Sequence, residues 1–197
     1  MRKFMLSGCL VAALCFASGC DSGQRNTDAV ETAEESNENK AEGMGGTAED
    51  RMEDASEFAV KAANGGMMEV ELARLASTKA TSQEVKTFAQ KMMDDHMKAN
   101  DELQSLATQK NITLPAALSD ESKNNVERLS KLSGAEFDRE YMEFMVDDHE
   151  EDVEMFRKAA NDSKDAEIKS FASKTLPTLE SHLEMAKQTR DKVNKRS

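Results

Sequence analysis

Residues 84–91 read EVKTFAQK, and residues 167–174 read EIKSFASK, eight positions in register without a gap. The same offset of 83 residues pairs Phe58 with Tyr141, Val70 and Glu71 with Val153 and Glu154, Arg74 with Arg157, and Ala76 with Ala159. A stretch of about 60 residues is therefore present twice. The period is too long, and the copies too few, for a solenoid. Within each copy apolar residues recur every three or four positions, which is the period of an amphipathic helix. The spacing predicts long helices over 51–79, 82–109, 134–161 and 165–193, with a shorter one over 119–132. Thr81–Ser82 and Ser119–Asp120 supply N-cap chemistry. NITLPAALSD at 111–120 breaks the chain, and NDSKD at 161–165 makes the second tight turn.

Two antiparallel hairpins, each with one apolar face, bury those faces best against each other. The turns inside each copy are short. About 25 residues join the copies, enough to cross the full length of a bundle. The expected fold is all-α, a ferritin-like four-helix bundle made from a duplicated αα-hairpin with a long helical crossover between the second and third main helices. Composition agrees: Trp is absent, Pro occurs twice and Met thirteen times, and good helix formers dominate.

The first nineteen residues have the layout of a signal peptide. Arg2 and Lys3 precede the apolar run FMLSGCLVAALCF, which is too short for a good membrane span. ASGC at 17–20 resembles the bacterial lipobox, in which small residues precede a Cys that becomes lipidated. LSGC, ending at Cys9, fits those letters but leaves no apolar region between itself and Lys3. Cys20 is the expected lipidation site, with a plain cleaved signal peptide as the alternative. Asp21 after it resembles an inner-membrane retention signal of enteric bacteria. These features predict an exported, lipid-anchored protein of the bacterial cell envelope, its domain facing the periplasm and its membrane contact made through Cys20. All three Cys lie within the first twenty residues, so beyond Cys20 the exported part holds no thiol, no disulfide and no zinc finger. Residues 21–50 contain nine acids, two bases and almost no large apolar side chain. They are expected to form a disordered tether with a reach of about 30 Å. The domain then spans 51–197. Net charge is -12, and about -14 once Arg2 and Lys3 are removed with the leader. Such a surface argues against nucleic acid as a partner.

Each predicted long helix carries one coordinating side chain within its apolar stripe. Glu69 lies in the row of Phe58, Ala62, Leu72 and Ala76. His96 lies between Met92 and Leu103, His149 between Met145 and Val153, and His182 between Leu179 and Ala186. At 1.5 Å per residue their heights above the turns agree within roughly two turns. Imidazoles with a carboxylate suit copper, zinc or iron, so Glu69, His96, His149 and His182 are the candidate ligands of one transition metal ion. The other reading makes the histidines structural core residues bonded to acids. Met67, Met68, Met92, Met93, Met97, Met145 and Met185 lie near these positions. Thioethers suit Cu(I), but Met is also a common core filler. The pairs Asp94–Asp95 and Asp147–Asp148 are expected to face solvent, with support of the ligands as the alternative. NGG at 64–66 is expected to permit close helix packing. Pro177 removes an amide from its helix and could re-aim His182 or only adjust packing. No catalytic residues stand out: there is no phosphate loop, and no nucleophile–base spacing.

The segments FAVKAANGGMMEVELARLA, VKTFAQKMMDDHMKANDEL, FDREYMEFMVDDHEEDVEMF and FASKTLPTLESHL resemble a bacterial exported family catalogued as domain of unknown function 4142. The resemblance spans about residues 55–190. It implies a ferritin-like helical bundle and an envelope location, and it implies no activity. The wider ferritin-like class suggests a di-iron centre built on Glu-x-x-His. Here Met93 and Leu179 stand three residues before His96 and His182. A mononuclear His-rich site is therefore what the resemblance allows, and a redox enzyme is the remoter expectation. A structural or stress-related interaction module without metal is the alternative function.

Overall fold

The computed structural model describes residues 28–195. The described residues form six helices and no strand: α1 (Ala29–Ala41), α2 (Thr47–Lys79), α3 (Gln83–Lys110), α4 (Asp120–Ser130), α5 (Gly134–Asp162) and α6 (Ala166–Asn194). No helix among them is long and apolar enough to cross a membrane. The ends form where side chains replace the missing backbone partners. Ser82 accepts from the Val85 amide and Ser119 from the Ser122 amide, while Asp165 accepts from Glu167 and Ile168. Asn111 closes α3 in the left-handed conformation at φ 57°, which Asn tolerates better than most residues. The four long helices fall within a few residues of their expected bounds.

The α2–α3 and α5–α6 pairs are joined by three-residue turns and pack most closely within themselves. The two pairs meet with α3 against α6 and α2 against α5, and the crossover lays α4 along α2. Aromatic packing follows the internal repeat. Phe58 meets Phe171 with ring centroids 6.3 Å apart, and Tyr141 meets Phe88 at 6.2 Å, both at 67°. The 83-residue offset carries Phe58 onto Tyr141 and Phe88 onto Phe171, so each contact is the image of the other. The hairpins thus face each other about an approximate two-fold axis. The images lie in different clusters. Phe58, Phe156, Phe171 and Leu103 fill one apolar half, while Leu72, Phe88, Tyr141 and Met145 fill the other.

Residues 28–50 depart from the expected tether. α1 is a folded helix packed on α2, and α2 begins at Thr47 rather than 51. Low apolar content does not prevent this docking, because α1 buries only Ala33, Asn37 and Ala41. Polar contacts supply the rest. The Asn37 amide donates to the Thr113 carbonyl at 2.8 Å and accepts from the Thr113 amide at 2.7 Å. Lys40 reaches the Asn111 carbonyl at 2.9 Å. Asp28 caps α1 through the Val30 amide at 2.7 Å and also accepts from the Asp120 amide at the start of α4. The leader, Cys20 and the first residues of the expected tether lie outside the described residues.

Candidate metal centre

The buried residues of the two apolar halves form separate clusters, with half-buried Leu183 packed against both. Along α3, Met92 belongs to one half and Leu103 to the other; along α5 the pair is Met145 and Val153, and along α6 it is Ala186 and Leu179. His96, His149 and His182 sit at these boundaries, and Glu69 takes the corresponding level on α2. The result is one polar layer through the middle of the core. All four side chains are buried, with Glu69 1%, His96 5%, and His149 and His182 0% exposed.

The structure brings the four together. The imidazole rings of His96, His149 and His182 lie 5.2 to 5.7 Å apart, centroid to centroid. Each offers one ring nitrogen within 4.8 Å of the others. The Glu69 carboxylate stands among them, Oε2 2.7 Å from His96 Nδ1 and Oε1 3.4 Å from His149 Nε2. Two donors, each about 2 Å from a shared ion, are roughly 3 Å apart; the three imidazoles form one group able to share an ion, and Glu69 forms a second with Asp148 and His149, so His149 belongs to both. The contacts are close without being aligned as hydrogen bonds. Among the described residues, the buried side-chain nitrogens and oxygens lacking a hydrogen-bond partner are both Glu69 oxygens, His96 Nε2, Asp148 Oδ2, both His149 nitrogens, His182 Nδ1 and the Tyr141 hydroxyl. Apart from the tyrosine, all belong to this cluster. Buried polar atoms without partners are costly, each about 1–3 kcal/mol, and their concentration in one layer fits a bound cation.

Electrostatics reinforce this. Burial pushes His96 and His182 down to about 4, and burial with two neighbouring imidazoles holds His149 well below the ordinary imidazole value. The rings are therefore neutral at pH 7 and keep lone pairs for a metal. Burial also raises Glu69 well above the ordinary carboxylate range. Asp148 and Asp152 are raised by burial and by the Glu69 charge. A cation would relieve this enforced neutrality. Beside His96, His182, Glu69 and Asp152 lies a cavity of about 20 Å³, room for one water-sized particle.

Three acids join the layer that the sequence reading leaves outside it. Asp95 Oδ2 is 2.8 Å from His182 Nε2 and also accepts from Lys91 at 2.8 Å. Burial opposes its charge, yet Lys91 and His182 hold it below the ordinary value. A carboxylate accepting from Nε2 leaves Nδ1 as the free donor, which fixes how His182 faces the cluster. Asp148 stands beside Glu69, with a carboxylate oxygen of each within 4.8 Å of the other. Thus the aspartate pairs do not both face solvent: Asp94 and Asp147 are exposed, while Asp95 and Asp148 turn inward. Asp152 lines the cavity, and it is the repeat mate of Glu69. That offset is the signal that could have found it. His149 has Gly66 as its mate. A Cβ on Gly66 would collide with Asn100 Oδ1, so close packing does explain the glycine. No methionine lines the cavity. Met92 and Met145 are apolar filling, and Met97 is 46% exposed. α6 continues through Pro177, and His182 faces inward.

An all-helical core crossed by a layer of imidazoles and carboxylates defines the class. The chain belongs to the family described as Domain of unknown function (DUF4142), whose profile matches residues 40–189. No curated protein matches it. Among solved structures it is similar to a DUF305 fragment from Deinococcus radiodurans, with a TM-score of 0.63 and 14% identity over 71% of this chain and 96% of that one. It is also similar to CopM in the Cu(I)-bound form (TM-score 0.58, 19% identity, 68% of this chain and 93% of that one). CopM in the Cu(II)-bound form gives 0.59 and 18%, over 71% and 96%. At these identities the likeness is one of fold.

Proposed function

We propose that this protein binds a single transition metal ion, copper, between His96, His149, His182 and Glu69. The observation that carries the proposal is the concentration of unpartnered buried donor atoms in one layer to which each long helix contributes a ligand. Three imidazoles and a carboxylate, without a thioether in the cavity, suit Cu(II) better than a soft-ligand Cu(I) site. Copper also tops the affinity order of divalent first-row ions, and two of the similar folds are named as copper-bound forms. Asp95 would orient His182, and Asp148 would hold Glu69. The role is binding rather than catalysis, since Glu-x-x-His pairs are missing beside His96 and His182. Lipidation at Cys20, membrane attachment and a periplasmic domain belong to the same proposal, as does a ferritin-like arrangement of the four long helices.

Cu(II) titration of tag-free protein tests this. The expected result is one ion per chain, lost in the His96→Ala/His149→Ala/His182→Ala variant. Equal copper content in both ends the proposal. A structural role without metal is the second reading, favoured by the Asp95–His182 bond, which already partners one imidazole.

A further inference from the structure

The internal repeat accounts for the cavity beside the polar layer. The 83-residue offset carries Val85, Phe88 and Ala89, all in one apolar half, onto Ile168, Phe171 and Ala172 in the other. One turn further along α3 stands Met92, 0% exposed and packed into its half. Its mate on α6 is Thr175, the first residue after the unbroken match ends at Lys174. A threonine side chain is shorter than a methionine and does not reach as far into a core. The cavity of about 20 Å³ lies at this place, lined by Thr175 and Thr178 of α6, by Ala99 and Asn100 of α3, and by His96 and His182. His149 does not line it. An ion shared by all three imidazoles therefore has the cavity at its flank, on the side away from His149. Hydroxyls elsewhere on α3 and α6 return to the carbonyl four residues earlier, as those of Thr87, Thr108 and Ser173 do. The hydroxyls of Thr175 and Thr178 and the side-chain amide of Asn100 make no hydrogen bond among the described residues. Three uncharged polar groups without protein partners thus border a space with room for one water-sized molecule.

We propose that this cavity is a ligand pocket for the metal: copper held by the imidazoles keeps one coordination position open toward it, and a single neutral, water-sized molecule takes that position. The inference rests on the metal-binding reading above. Metal sites that only hold structure are closed by protein donors, whereas an open position lets the ion take an outside ligand. The walls select the size and charge of that ligand. Leu103, Phe156, Phe171 and Leu179 form the apolar side, where nothing compensates a charge. Glu69 and Asp152 bring carboxyl oxygens to the polar side, which disfavours an anion. An amide and two hydroxyls can donate to or accept from an uncharged guest. Asn100 is held for this by a bare glycine, since its amide occupies the space that a Cβ on Gly66 would take.

Electron paramagnetic resonance of the Cu(II)-loaded full chain, in water enriched in oxygen-17, reads the guest directly, because a magnetic oxygen nucleus on the metal broadens the copper lines. Thr175→Leu fills the cavity from α6 with an apolar side chain that cannot ligate. Ala99→Val narrows it from α3 and carries the test should Thr175→Leu fold poorly; neither residue is a ligand. Expected are broadening from one exchangeable water in the wild type, its loss in the folded plugged variants, and one copper per chain in all of them. Added imidazole, too large for the space, should leave the wild-type spectrum unchanged. Absence of broadening in the copper-loaded wild type, or broadening that survives in both plugged variants, overturns the ligand pocket and leaves the metal site standing. A spectrum that imidazole changes means a position open to bulk solvent and overturns the pocket in the same way. Failure of the wild type to bind Cu(II) overturns both this and the metal reading.

Discussion

At Glu69 stability and binding pull in opposite directions. Its carboxyl group is raised far above 4.5 because burial penalises the charged form. A carboxyl raised on folding favours the native state at low pH, where it is protonated in both states, and that advantage declines as pH rises above 4.5. Glu69→Gln removes the part of the dependence that Glu69 contributes, while Asp148 and Asp152, also raised by burial, keep theirs. The expected outcome is a metal-free variant as stable as wild type near pH 4 and more stable by about 1–3 kcal/mol at pH 8, with weaker copper binding. Urea melts at the two pH values check it, and a Gln variant less stable at pH 8 contradicts the assignment. The imidazoles were legible in the sequence because each is a lone polar residue in an apolar stripe. The acids were harder to read. Neighbours on a helix point about 100° apart, so an Asp-Asp pair beside a buried His must split, one member outward and one inward. The chain is also rich in surface acids, which hides Asp148 and Asp95 among them.

Elements in this molecule are held by single polar side chains as much as by apolar faces. Asp138 on α5 is 2% exposed and accepts from the Thr81 amide, the Thr81 hydroxyl and the Ser82 amide, at 3.1, 2.7 and 2.8 Å. It anchors the α2–α3 turn to the other hairpin. Asp138→Ala should cost about 2–3 kcal/mol, read as a lower denaturation midpoint at unchanged m-value. Asn37 does the same for α1. Asn37→Ala leaves the Thr113 amide and carbonyl without that partner and should release α1 while the rest of the fold persists, seen as faster hydrogen exchange confined to residues 29–41. The long helices were legible from their 3.6-residue period. α1 was not, because its docked face is two alanines and an asparagine, a pattern that composition cannot distinguish from a solvated segment. Its contacts fall on residues about 76 positions away, and nothing local in the chain announces them.

For the whole molecule, the polar layer ties folding to metal. An ion that binds only the native state stabilises it by about 2.7 kcal/mol at a hundred times its Kd. For a domain of this size the melting temperature should then rise by roughly 5–10 °C. Calorimetry with and without Cu(II), and again with the triple histidine variant, checks this; a shift that survives in the variant would mean binding elsewhere. The duplicated architecture was legible at this scale, since the 83-residue offset predicts two facing hairpins. Less legible was which repeat mates would meet, because the offset equates Gly66 with His149 and sets His182 three residues beyond the mate of His96. The axis nevertheless has a chemical meaning. The first hairpin brings Glu69 and His96, the second Asp152, His149 and His182, so each is half a chelator with an incomplete set of donors. A chain nicked in the crossover would become two fragments that copper could staple back together, and a single ancestral hairpin dimerising with itself would have found a carboxylate and an imidazole from each copy already waiting at its dyad.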